Sequence, residues 1–118
     1  MAVSERRVLP RYYFVTLVDV SVPGFSDSLW GAVANISRTG IALYIRQQLK
    51  PGSAVTIRFR FQGEGGREVS ETITAKLVWQ RGETAGLEFE PPMLANSPAS
   101  KKAPHLADYL SKKEATKG

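Results

Sequence analysis

Ala54-Val55-Thr56-Ile57-Arg58-Phe59-Arg60-Phe61-Gln62 alternates apolar and polar side chains without a break. A two-residue period puts Val55, Ile57, Phe59 and Phe61 on one face and Thr56, Arg58 and Arg60 on the other, as a strand between core and water requires. Ile73, Ala75, Leu77 and Trp79 repeat the pattern, so Trp79 is expected to continue the buried face begun by Ile73, with a rim position touching a ligand as the competing reading. The same alternation marks shorter strands at Tyr12–Val20, Trp30–Ser37, Gly40–Arg46 and Thr84–Glu90. Turn-forming pieces at Pro23-Gly24, Pro51-Gly52, Gly63–Gly66 and Arg81-Gly82 divide them. Six short antiparallel strands without intervening helices predict an all-β fold, a small six-stranded antiparallel β-barrel whose closure removes exposed edges.

Outside the strands the chain changes character. Residues 1–11 read as a flexible N-terminal segment, 12–92 as the barrel and 93–118 as a linker, a short helix and a basic tail. After Pro91-Pro92 the composition shifts to Ala, Ser, Pro and Lys, and the linker is expected to run to Pro104. Leu106, Tyr109 and Leu110 then fall at helical spacing, which predicts a short C-terminal helix packed on the barrel. Ser21–Leu29 is longer than a tight hairpin and carries Phe25, a side chain a solvated loop does not need. It reads as a lid or a partner contact.

The 118 residues suffice for one domain with a modest core and leave no room for a separate catalytic one. Cysteine is absent, which excludes disulfides and thiolate metal sites and is compatible with a reducing compartment. No leader pattern and no membrane-length apolar run is present, so the protein is expected to be soluble and cytoplasmic, without a membrane partner. The formal net charge is +5, but from Ala95 onward five lysines face Asp108 and Glu114, while in residues 1–94 eleven Lys/Arg face nine Asp/Glu. The basic character is mostly a tail effect, and a nucleic-acid partner is not expected. The competing reading, a nucleic-acid-binding barrel, would use Arg58, Arg60 and the lysine tail. Catalytic signatures are missing: there is no phosphate loop, nucleophile elbow, metal-ligand cluster or carboxylate pair beside a base. No catalytic residue, metal or cofactor is expected, and His105, the single histidine, reads as a solvent residue of the tail.

Two segments carry the functional signal. Arg6-Arg7-Val8-Leu9-Pro10-Arg11 sets Arg7 and Arg11 four apart on an extended segment, with Arg6 beside them and only Glu5 to offset the charge. Guanidinium forks match both phosphate oxygens and the O6/N7 edge of guanine. Asn35-Ile36-Ser37-Arg38-Thr39-Gly40 supplies an amide, a hydroxyl and a glycine whose backbone can approach a neighbour closely or take positive φ. Together they read as a receptor for a guanine nucleotide.

The Arg-x-x-x-Arg and Asn-x-Ser-x-x-Gly pair resembles the PilZ domain, a bacterial family that binds cyclic di-GMP. Leu77-Val78-Trp79-Gln80 and Ala85-Gly86-Leu87-Glu88-Phe89 are similar to its closing strands, and the resemblance spans roughly residues 4–92. It implies a PilZ-like barrel and a cyclic di-GMP site built from Arg6, Arg7, Arg11, Asn35, Ser37 and Gly40. Arg7 and Arg11 would hold phosphate and guanine. Arg6 would favour a stacked pair of ligand molecules over one, since a guanidinium can lie on a guanine face. The family often has Asp where Asn35 stands, and the amide here can accept from the base but brings no negative charge. The implied output is a shape change passed to an unidentified downstream protein or through a homodimer. The alternative is a ligand-free PilZ-like interaction module, and retention of both motifs argues against it.

Overall fold

Six strands form where the alternation places them. In the computed structural model, which describes residues 16–26, 28–62, 64–94 and 97–116, they are β1 (Leu17–Ser21), β2 (Leu29–Ile36), β3 (Gly40–Ile45), β4 (Ala54–Gln62), β5 (Glu68–Arg81) and β6 (Thr84–Phe89). All pairings are antiparallel, and the order β1-β2-β3-β6-β5-β4 closes on β1 as a barrel. The expected strand residues Tyr12–Val15 lie outside the described residues.

Turn chemistry sets the connections. Phe25 N–H donates to the Val22 carbonyl across Pro23-Gly24, and Ser53 N–H donates to that of Lys50 across Pro51-Gly52. Gly24 and Gly52 have φ of 92° and 85°, so each supplies the left-handed residue a type II turn needs after proline. In the β1–β2 connection Phe25 is exposed, and Ser21, Val22, Phe25 and Ser28 border a shallow groove against Ala54–Thr56.

Inward-facing Val18, Val20, Val33, Ile36, Ile41, Leu43, Ile57, Phe59, Ala75, Leu77, Leu87 and Phe89 fill the barrel. The C-terminal region closes one end of it with two helices where one was expected, α1 (Pro98–Lys102) and α2 (Pro104–Thr116). Ser97 caps α1 by accepting from Ser100 N–H at 3.2 Å, with Pro98 in the first turn where its missing N–H costs nothing. Met93, Ala103, Leu106 and Leu110 are fully buried, and each large side chain among them contributes roughly 1.5–3 kcal/mol of burial. The stretch expected to be a linker thus contains α1 and the buried Met93. The helix read from Leu106, Tyr109 and Leu110 is α2, and it extends through Lys112 and Lys113, so these two lysines of the expected basic tail are helical.

Glu71 explains how α2 docks. It falls at an inward position of β5 and is buried, yet its carboxylate accepts from the backbone N–H groups of His105 at 2.7 Å and Leu106 at 2.9 Å. These amides head α2, where unpaired N–H groups and the helix dipole favour an anion. His105 Nδ1 lies 2.7 Å from the same carboxylate and its ring stacks on Phe61 at 5.5 Å. His105 is exposed, as the sequence reading has it, but it belongs to the docked start of α2 and not to a tail.

Candidate functional site

The β2–β3 turn brings Asn35, Ser37 and Gly40 together. Ser37 is buried, and its Oγ accepts from Thr39 N–H and Gly40 N–H at 3.3 Å each, while Ser37 N–H donates to the Gly40 carbonyl at 2.8 Å. The hydroxyl holds the turn closed from inside. Gly40 faces the backbone of β6: a Cβ there would stand 2.5 Å from the Leu87 carbonyl oxygen. Of the two uses foreseen for this glycine, the structure shows the close approach, and Gly40 is not among the glycines with positive φ.

Asn35 and Gly40 open onto a surface groove of about 430 Å³, bordered also by Thr39, Tyr44, Trp79 and Glu88. Two irregularities shape it. The β2–β3 register shifts between Val33 and Asn35, and the β5–β6 register shifts between Leu77 and Trp79. An extra residue in a strand reverses the facing of everything after it. Val33 and Ile36 therefore both point inward, leaving Ala34 and Asn35 on the groove side. Leu77 is buried, whereas Trp79 is 45% exposed and lines the groove.

Trp79 is thus not a core residue, contrary to the expectation from unbroken alternation. Its indole lies across Gly86, where a Cβ would overlap the ring. A glycine inside β6 was the available signal. Sequence reasoning also passed over Glu88, paired in register with Gly40 and the one charged side chain among the described residues that line the groove.

Arg38 was missed as well. It sits inside the turn but points away from the groove and is buried. Its Nε and Nη2 donate to the Glu114 carboxylate at 3.0 and 2.9 Å, Nη2 also to Ser111 Oγ at 3.1 Å, and Nη1 to the Met93 carbonyl at 2.9 Å. The Arg38 carbonyl in turn accepts from Met93 N–H at 2.7 Å. This guanidinium holds the Glu114 carboxyl below its ordinary range, against the opposing pull of burial. The turn therefore has two sides, one on the groove and one bonded to α2. A 76-residue separation hid the second from the sequence.

Arg6, Arg7 and Arg11 lie outside the described residues. Thr16, the first described residue, accepts from Val33 N–H at 2.9 Å. The chain accordingly joins β1 at the end of the barrel that carries Asn35 and the turn. Arg58 and Arg60 both donate to Asp19 Oδ2, so one carboxylate fixes both guanidiniums in the barrel wall instead of leaving a row of unpaired cations, which weakens the nucleic-acid reading.

The sequence matches the family model of the PilZ domain over residues 5–99. This chain belongs to the PilZ domain family. Among solved structures it is similar to the PilZ domain of CeSA from a cellulose-synthesizing bacterium, with a TM-score of 0.62 at 17% identity, over 86% of this chain and 97% of that one. A comparison with curated proteins gave no match. PilZ domains are binding modules, generally receptors for cyclic di-GMP. Among the described residues, no helix of this PilZ domain is long and apolar enough to cross a membrane, and no group of three or more His, Cys, Asp or Glu forms a metal-binding cluster.

Proposed function

We propose that this PilZ domain is a cyclic di-GMP receptor that takes its ligand in the groove beside the β2–β3 turn and passes the event to a downstream protein. The observation that carries this reading is the convergence of Asn35, Gly40 and the outward-turned Trp79 on one groove, at the end of the barrel where the chain joins β1. Its volume is in the range of small-ligand sites. Trp79 and Tyr44 offer aromatic surface for stacking a base. Asn35 and Glu88 offer acceptors for the guanine N–H edge, and Glu88 supplies the carboxylate that Asn35 lacks.

The groove's described lining contains no cation, so the phosphates of a dianionic ligand must be met from elsewhere. Arg11 precedes Thr16 by five residues and so reaches roughly 17 Å from it. That span suffices to bring Arg11, with Arg7 and Arg6 behind it, over the groove. Ser37 contributes by fixing the turn and Gly40 by letting it approach β6. Tightening the turn around a ligand loads Arg38, and Arg38 transmits the load to Ser111 and Glu114 of α2. The helix surface is then the part of the molecule whose position reports occupancy.

Calorimetric titration of the full chain with cyclic di-GMP tests the proposal. Each charge-assisted hydrogen bond is worth roughly 1.5–3 kcal/mol, so Arg7→Ala should weaken binding by roughly tenfold to over a hundredfold. Asn35→Ala and Glu88→Gln should weaken it in the same direction, and the stoichiometry reports one ligand or a stacked pair. Absence of saturable heat at tens of micromolar ligand would favour the ligand-free interaction module. Equal binding by parent and variants would place the ligand elsewhere.

A further inference from the structure

The outer face of β1, β2 and β3 carries an apolar surface that extends beyond the groove at the β2–β3 turn and shares only Tyr44 with it. Leu17, Ala32 and Tyr44 lie side by side in one row across these strands, and Trp30 pairs with Asp19 in the next. Leu17 is 60% exposed, Trp30 62% and Tyr44 54%, each on the water side of a strand whose opposite face is core. Three neighbouring large side chains left in water exceed the scattered exposure of an ordinary surface.

Arginines border this patch. Asp19 pairs across to Arg58 on β4, and its Oδ2 accepts from Arg58 at 2.7 Å and from Arg60 at 2.5 Å. The Arg60 guanidinium stands 5.9 Å from the Trp30 ring centre, a cation–π distance. Arg46 follows Ile45, whose partner Gly31 adjoins Trp30, and is exposed on the opposite border. Asp19 is buried beneath the arginines and Glu68 pairs with Arg60 at 3.8 Å on one edge, while the rest of the surface offered outward is aromatic, aliphatic and guanidinium. Asp19 also fixes where the two forks point, which reduces the entropy a partner must remove from them.

We infer that this face is a protein-docking surface for a partner segment that combines apolar anchors with carboxylates. Trp, Tyr and Arg are the residue types enriched where protein partners bind most strongly, and lysine is depleted there. A nucleic-acid surface would instead present unpaired cations along a groove, whereas here the centre is apolar and two of the three arginines are already tied to Asp19. A second copy of the same face would oppose arginine to arginine. Tyr44 belongs both to this patch and to the groove lining, so the two sites share one side chain, yet docking does not depend on the dinucleotide reading.

The test is selection of a displayed random 12-residue peptide library on the full chain, followed by synthesis of the consensus peptide and anisotropy titration. The expected consensus is acidic with an aromatic or leucine anchor, and it binds at least tenfold more weakly to Trp30→Ala and to Leu17→Lys. Both substitutions are outward-facing, so an unchanged melting temperature shows that the fold is intact. Arg46→Glu should also weaken binding, and raised salt should weaken it further. No enrichment, a basic consensus, or a consensus that binds Trp30→Ala as well as the parent would overturn the inference. So would equal competition by a 12-nucleotide single strand, or a dimer of the unliganded chain that Trp30→Ala dissolves.

Discussion

Gly86 and Gly40 lack a Cβ for different neighbours, and the difference predicts different consequences. At Gly86 an added methyl would overlap the Trp79 indole, which is the outer part of a side chain and can swing away. Gly86→Ala should therefore leave the fold largely intact while releasing the ring from the groove. In a Trp30→Phe background, where Trp79 is the remaining tryptophan, its emission should shift to the red and acrylamide quenching should rise. An unchanged spectrum would mean that the ring is held by something other than its approach to Gly86. At Gly40 the obstacle is the Leu87 carbonyl oxygen, 2.5 Å from the new Cβ, and backbone in a paired strand cannot yield in the same way. Gly40→Ala should cost about 1–3 kcal/mol, read as a lowered urea midpoint.

Helix α2 is attached to the barrel at two charged points, Glu71 at its start and Arg38 near its end. Removing the first tests whether the helix is held by these contacts or by its apolar face alone. Glu71→Ala deletes the acceptor for two backbone N–H groups at the helix N-terminus and should cost about 2 kcal/mol. Amide exchange should accelerate at His105 and Leu106 while the barrel strands keep their protection; unaltered protection there would show that burial of Leu106 and Leu110 suffices. These attachments also mark the limit of what the sequence disclosed. The strands were legible because inward Val55, Ile57 and Phe59 repeat every second residue, and a barrel follows from six such strands. Trp79 was misread because a register shift is invisible to a fixed period, although Gly86 opposite it hinted at close packing. Glu71 sat at an inward position between Val69 and Ile73, a carboxylate where an apolar residue belongs, and that conflict was the readable sign of a buried partner. Asn35, Ser37 and Gly40 were legible as one hairpin connection, but Ser37's commitment to its own turn, and Arg38's to a helix 76 residues away, depend on the folded path of the chain.

At the scale of the whole molecule, two carboxylates paired with arginines tie distant parts of the sequence together and set its response to acid. Asp19 of β1 is held below its ordinary value of 3.8, first by its hydrogen bond from Arg58 and then by Arg60, with burial opposing. Glu114 of α2 is held below its ordinary 4.5 by Arg38, again against burial. Both carboxyls bind a proton less readily in the folded chain than in the unfolded one, so unfolding takes up protons in acid and stability falls as the pH falls. Each contribution is complete above the ordinary value and drains away as the pH drops through the lower, folded one. The melting temperature should thus hold steady from pH 7 to about pH 5 and decline once the pH passes below about 4.5. Glu114 is partly exposed and screened by solvent, so Glu114→Gln should cost only on the order of 1 kcal/mol at neutral pH, a shift of a few degrees. That gap should narrow as the pH falls below the ordinary value of 4.5 and close once it passes the lower, folded one, because the parent then carries a protonated Glu114 as well. A difference between parent and variant that stays constant across this range would show that the Arg38 contact acts through shape and packing rather than through charge.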